Sequence, residues 1–257
     1  QHHHSKPLQR GQNQGDAAGT AAGQTSPAGS SDPREARAPD DAAPQSPTGD
    51  GQAAYAFQQV FKVEGFDLYR IQVGAFSSPQ NALKLAEELN DNGMAASVDE
   101  DGLHKVYALY SFSRELAEAA LEKVRAHYSD AHISKASFPS VEINFSQSYS
   151  REASVLKDQL EECRDMLEQV SAAEAAGKSI EDIVEEHKNR IKLFEAQVSQ
   201  TELPASMEGY KDEVLTLYTA MLESYSEYDS RTAVPGQVSM ELINCYMEVL
   251  KRLSLVI

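Results

Sequence analysis

Two short alternating stretches carry the side chains best suited to holding a polar ligand. In Tyr69-Arg70-Ile71-Gln72-Val73, Arg70 and Gln72 share one face, and Tyr69, Ile71 and Val73 share the other. In Leu103 to Tyr110, Leu103, Lys105 and Tyr107 lie on one side, with His104, Val106 and Ala108 on the other. Gln72 can donate to and accept from acetamide or hydroxyl groups. Arg70 or Lys105 can meet a carboxylate, and Tyr107 offers an aromatic plane with a polar tip. The competing explanation is that these residues only keep an open sheet face soluble.

Catalytic chemistry is not legible. No nucleophile elbow, P-loop, dinucleotide fingerprint or zinc signature occurs. His127 and His132, five apart across a helix-to-strand junction, read as surface or satisfied histidines, and His187 sits on an apolar stripe as a core histidine does. His2, His3 and His4 have no second shell to orient them on a metal. Glu161-Glu162 and Glu185-Glu186 are neighbours on solvated helix faces, not opposed carboxylates in different environments. The expectation is a non-enzymatic protein with no catalytic residue, no metal and no cofactor.

The chain has 257 residues, with 23 Lys and Arg against 40 Asp and Glu, a formal charge of −17. That field repels nucleic acid and disfavours an anionic membrane surface. No run approaches the roughly 18–20 apolar residues that span a bilayer. Cys163 and Cys245 are the only cysteines, too few for a disulfide framework, although one bridge between them is left open. The chain starts at Gln1, so a segment upstream is expected.

Residues 1–65 are expected to be a disordered linker. The first 54 hold six of the ten Pro and seven of the fourteen Gly, with no aromatic residue. Such a stretch cannot bury enough apolar surface to offset its chain entropy. The pattern changes at Asp67. A strand over 68–73 is followed by Ser77-Ser78-Pro79, which opens a helix with Ala82, Leu85, Ala86 and Leu89 on one face until Asn92-Gly93. Ala95 to Val98 is a second strand, Asp101-Gly102 a hairpin turn and Leu103 to Tyr110 a third strand. Ser113 opens a second helix that ends near Ser129-Asp130, and residues 131–138 supply a fourth strand.

This β-α-β-β-α-β order contains a repeat with a period of 35 residues: Tyr69-Arg70-Ile71 falls on His104-Lys105-Val106, Ser78 on Ser113 and Ala82 on Ala117. Neither half can bury its helix alone. Together they make an α+β domain at 66–140, a four-stranded antiparallel sheet of RNP-like topology with both helices on one face and the other face open. Residues 150–257 carry four amphipathic stripes, broken at Gly177, Leu203-Pro204 and Val234-Pro235-Gly236, as an all-α bundle or two helical hairpins would. They also carry 22 acidic against 11 basic residues from 141 onward, which reads as a solvated outer face.

Tyr69-Arg70-Ile71-Gln72-Val73-Gly74-Ala75-Phe76-Ser77-Ser78 resembles the opening signature of the SPOR domain (sporulation-related repeat). Gly102 to Val106 with Ser113-Arg114-Glu115 and Ala117 to Leu121 is similar to its second repeat, except that Leu109-Tyr110-Ser111 stands where the family has Gly-Pro-Phe. The resemblance covers about residues 66–139. It implies binding of peptidoglycan, as glycan strands stripped of stem peptides, at division or sporulation septa. It also implies an extracytoplasmic domain on a single-pass membrane protein, its anchor upstream of this chain. By matching position, the glycan contacts implied are Gln72 and Ala75 of the first strand, the bulky Leu103 and basic Lys105 of the third, and Ile133 of the last. Arg70 and Tyr107 join them on chemical grounds. Ala75 lacks the hydroxyl, and Leu103 the aromatic, that family binders often have.

Two other functions compete. The helical region can bind a protein partner as a scaffold beside a vestigial SPOR domain, on the strength of the altered second repeat and of Tyr210, Tyr218, Tyr225 and Tyr228 in its third helix, though a Tyr stripe is more often core. RNA binding shares the strand order, but the domain's net charge of −4 and its lack of paired aromatics on the central strands argue against it.

Overall fold

The computed structural model describes residues 58–254, so the residues expected as linker before 58, including His2 to His4, lie outside the described residues. In chain order it contains β1 (Gln58–Val63), β2 (Phe66–Phe76), α1 (Pro79–Asp91), β3 (Ser97–Asp101), β4 (Leu103–Ser111), α2 (Arg114–Arg125), β5 (His132–Phe138) and β6 (Val141–Ser146). A 3-10 turn then leads into α3 (Ser150–Ala175), α4 (Glu181–Ser199), α5 (Ala205–Glu227) and α6 (Gln237–Leu253). None of the described helices is long and apolar enough to cross a membrane.

The 35-residue repeat is visible in the element boundaries. Helices begin at Pro79 and Arg114, strands at Ser97 and His132, and strands end at Phe76 and Ser111. The two helix starts are built from the same residue type and differ in detail. Ser113 Oγ accepts a hydrogen bond from the Leu116 N–H at 3.3 Å, whereas Ser78 Oγ donates to Gln80 Oε1 at 2.9 Å and caps nothing. All four strands pair antiparallel in the order β3-β4-β2-β5. Helices α1 and α2 cover one face, closing a core around Ile71, Val106, Leu109, Ala82, Leu89 and Leu121. Gly74 allows that closeness, since a Cβ there would stand 2.8 Å from Leu85 Cδ2.

The second face is not open, which corrects the expectation from the strand pattern. Leu68, Tyr107 and Tyr110 on that face are buried in one continuous core with Leu160, Met166, Leu167 and Val170 of α3 and Ile243, Tyr246 and Val249 of α6. Phe66 stacks on Phe138 with ring centres 4.9 Å apart and also meets Phe112 and Tyr246. Polar bonds fix the docking. Ser171 Oγ of α3 donates to the Tyr110 carbonyl at 2.9 Å, Gln237 Oε1 of α6 accepts from the Ala96 N–H at 3.1 Å, and Asn244 Nδ2 donates to Ser97 Oγ at 3.1 Å. Near its C-terminal end α3 turns the buried Glu174 carboxylate onto the first turn of α6, where it accepts from the Ser239 N–H at 3.1 Å.

A second correction concerns residues 58–63, placed in the linker by composition and 141–146, left unassigned. They form β1 and β6, a two-stranded antiparallel ribbon with Phe61 opposite Ile143 and Gln59 opposite Phe145. Phe61, Val63, Ile143 and Phe145 alternate with exposed Lys62, Glu142 and Asn144 and pack into the α3 core. Cys163 and Cys245 are both free thiols; burial pushes the Cys163 thiol far above its usual range.

The helical region has a buried polar centre. His187 of α4 is fully buried, its Nε2 lying 3.1 Å from Gln169 Oε1 and its Nδ1 3.1 Å from the Tyr225 hydroxyl. An amide oxygen can only accept, so Nε2 carries the proton and Nδ1 accepts from Tyr225. That neutral tautomer satisfies both partners, and burial, with the charge of Arg190 adding, pushes the His187 pKa down from 6.5 to about 4. Between those values the unfolded chain takes up a proton that the folded chain refuses. Stability therefore falls as the pH drops from 6.5 towards 4 and levels off below that, by about 3 kcal/mol from this group. Urea denaturation at a series of pH values checks it: the His187→Gln variant should lose this component of the slope, and an unchanged slope would refute the assignment.

Candidate functional site

The candidate ligand surface is the part of the second sheet face that α3 and α6 leave uncovered. Its make-up depends on two irregularities in the central pair. Ile71 pairs with Leu109, Gln72 with Tyr107 and Gly74 with Val106, so Ala108 and Val73 are each passed over in the register. The first bulge puts Tyr107 and Tyr110, three residues apart, on one face. The second does the same for Gln72 and Ala75, and sets Ala75 opposite Lys105. Strict alternation would have sent Ala75 to the helix side.

Along this face the covered and free portions meet at Arg70. Its guanidinium lies 4.2 Å from the centre of the Tyr107 ring and 6.0 Å from that of Tyr110, and its Nη1 donates to Asp99 Oδ2 at 3.1 Å. Only 12% of the side chain is exposed. Beyond it, Gln72 is half-buried between Tyr107 and His132, and no hydrogen bond joins its amide to another side chain among the described residues. Ala75 and Leu103 are exposed. Lys105 Nζ is 3.0 Å from Asp101 Oδ2, a hydrogen bond that raises the lysine pKa and lowers that of the carboxyl. Each cation on the strip therefore has its own carboxylate from β3, and the surface is polar but locally neutral.

Five of the residues singled out from sequence, Arg70, Gln72, Ala75, Leu103 and Lys105, come together on or beside this strip. Two do not serve as expected. Tyr107 is on the right face but wholly buried, with Arg70 lying over its ring, so it offers no plane to a ligand. Ile133 is on the wrong face: it pairs with Ile71 and packs with the α1/α2 core, because the outward phase of β5 belongs to His132 and Ser134. His132, exposed opposite Gln72, and Ser134, opposite Arg70, are the residues that sequence reasoning missed. The β5 alternation held the signal, but only the register with β2 says which phase faces which way.

The Tyr stripe of α5 is core. Tyr210, Tyr218 and Tyr225 are buried, Tyr218 bonding Gln159 and Tyr225 bonding His187, and Tyr228 packs partly against the same cluster. This removes the observation that motivated a scaffold surface there. Among the described residues no group of three His, Cys, Asp or Glu is placed to hold a metal ion.

The family model for the SPOR domain matches residues 65–135, from the turn before β2 to the middle of β5. No curated protein and no solved structure matches the chain.

The buried Tyr107 hydroxyl has no hydrogen-bond partner in the structure. Leaving a buried hydroxyl unpaired costs about 1–3 kcal/mol. Tyr107→Phe keeps the ring beneath Arg70 and removes the orphan group, so its thermal midpoint should equal or exceed that of the parent. Arg70→Ala, which uncovers the ring and strips Asp99 of its partner, should lower it. A Tyr107→Phe protein that melts well below the parent would show that the hydroxyl has a partner.

Proposed function

We propose, from the premise that this chain carries a SPOR domain, that it is a non-enzymatic module holding glycan strands of peptidoglycan on the free strip of its sheet. SPOR domains are peptidoglycan-binding modules of division and sporulation proteins, a binding family and not a catalytic one. The observation that carries the proposal is the chemistry of the strip. The unpaired amide of Gln72 stands between Tyr107 and His132, with Lys105 the next residue on this face of β4 and the cations neutralised by Asp99 and Asp101. A glycan strand without stem peptides presents hydroxyl and acetamido groups along its length and a carboxylate only at each lactyl group. Gln72 and His132 match the first two by donating and accepting, and Lys105 matches the last.

A polyanion fits poorly. The chain carries −17 overall and the strip is locally neutral, so nothing offsets the repulsion of one phosphate per nucleotide, whereas a lactyl carboxylate comes only on alternate sugars and needs no more than one spare N–H of Lys105. In this reading the protein works outside the cytoplasm, where the polymer lies, and denuded strands at a division or sporulation septum are its target.

Co-sedimentation with purified cell-wall sacculi tests the proposal. Retention should rise after enzymatic removal of stem peptides. Gln72→Ala should weaken it about 3- to 10-fold, the value of one or two hydrogen bonds. Ile133→Val, altered on the helix side, should bind like the parent. Equal retention of Gln72→Ala and parent would move the site elsewhere, and no retention on either kind of sacculus would end the proposal.

A further inference from the structure

We infer that α3 and α6 set the length of glycan this domain can read, by filling half of the sheet face and leaving a platform for about three sugar units. The inference rests on the glycan reading above and adds what the helices do to it. On this face β2 contributes Leu68, Arg70, Gln72 and Ala75 in succession, and their environments change abruptly. Leu68 is fully buried under the helical core, Arg70 is nearly so, Gln72 is half-buried and Ala75 is exposed. The same gradient runs along β4, from buried Tyr110 and Tyr107 to half-buried Lys105 and exposed Leu103.

The boundary is a wall. Ser97, at the start of β3, accepts from the Tyr110 hydroxyl at 3.2 Å and from Asn244 of α6 at 3.1 Å, and it pairs with Tyr107, the partner of Gln72, so α6 is bonded to the sheet in the Gln72 row itself. Leu68, Tyr107 and Tyr110 belong to the same core as Met166, Ile243 and Tyr246, so moving the helices aside would expose that core. The cover is thus part of the fold and does not act as a lid.

What remains is small in both directions. From Gln72 to Ala75 the strand advances about 10 Å, and across the Ala75 row only three strands remain, Asp99 of β3, Lys105 of β4 and Ala75 of β2, again about 10 Å, because β5 pairs no further than Gln72. Three sugar rings set roughly one strand spacing apart, about 5 Å, span about 10 Å from the first centre to the last. Either way the strip takes about three sugars. A strand running along β2 past Arg70 would collide with α6.

Calorimetric titration of the full chain with alternating amino-sugar oligosaccharides of two, four, six and eight units, bearing acetamido and free lactyl groups, reads this directly. Affinity should climb from two to four units. From four to eight it should then stay within about twofold once the number of equivalent registers is divided out. A tenfold or greater rise between four and eight units would overturn the length limit while leaving glycan binding intact. Absence of binding at every length would instead overturn the glycan reading and this inference with it. Amide shifts recorded with the tetramer give an independent check: Gln72, Ala75, Lys105 and His132 should move, and shifts at Leu68 and Tyr110 as large as theirs would place sugar beyond the wall.

Discussion

A four-stranded sheet with Leu68, Tyr107 and Tyr110 on the face away from its own two helices cannot stand by itself in water. Each such side chain is worth on the order of 1.5–3 kcal/mol when buried, and the three sit side by side on the central strands. The need to cover them ties the sheet to the C-terminal helices. Helices α3 and α6 meet the apolar half of the face, Ser171 bonds to β4, Gln237 and Asn244 bond at the start of β3, and the β1–β6 ribbon packs into the same core as α3. The rest of the face keeps polar residues and stays free. Cover and candidate ligand surface are thus two parts of one pattern on β2 and β4.

Arg70 marks where one part becomes the other, and it explains how a charged group is tolerated at the edge of a core. Its stem and guanidinium lie over Tyr107, while Nη1 reaches the partly exposed Asp99. The stack on the aromatic face favours the cation, and the carboxylate removes its charge from the strip. Lysine would keep the charge but lose the planar stack. The result is a fixed polar border against which Gln72 is set. A surface held from behind by a packed core loses little freedom when a ligand settles on it, which favours binding by a weakly interacting polymer.

Much of this was legible in the sequence, and what was not has identifiable physical causes. The repeat, the two helices with their serine starts and the phase of Arg70, Gln72 and Lys105 follow from local periodicity, which is set within a few residues. The bulges at Val73 and Ala108 leave no such trace, since both residues suit a strand, so the companionship of Gln72 with Ala75 and of Tyr107 with Tyr110 emerges only from pairing. Ile133 illustrates the same limit on β5: its phase is clear but the face that phase takes is fixed by Ile71 on another strand. Strands β1 and β6 were missed for a different reason. Their alternation is present in Phe61-Lys62-Val63 and Ile143-Asn144-Phe145, but each is short and its partner lies about eighty residues away.

The open second face was the expectation most at odds with the fold, and the cause lies in Tyr107 and Tyr110. An aromatic residue on an uncovered strand is equally consistent with a ligand platform and with an interface to a neighbouring element. Here the decision came from α3 and α6, whose apolar stripes needed more surface than the other helices supply. Met166 and Tyr246 are fully buried in the core they share with the sheet. The helical region and the sheet each complete the other's core, and Asn244 of α6 bonds Ser97 in the row of Gln72. The candidate surface is local, but its rigidity is a property of the whole described chain.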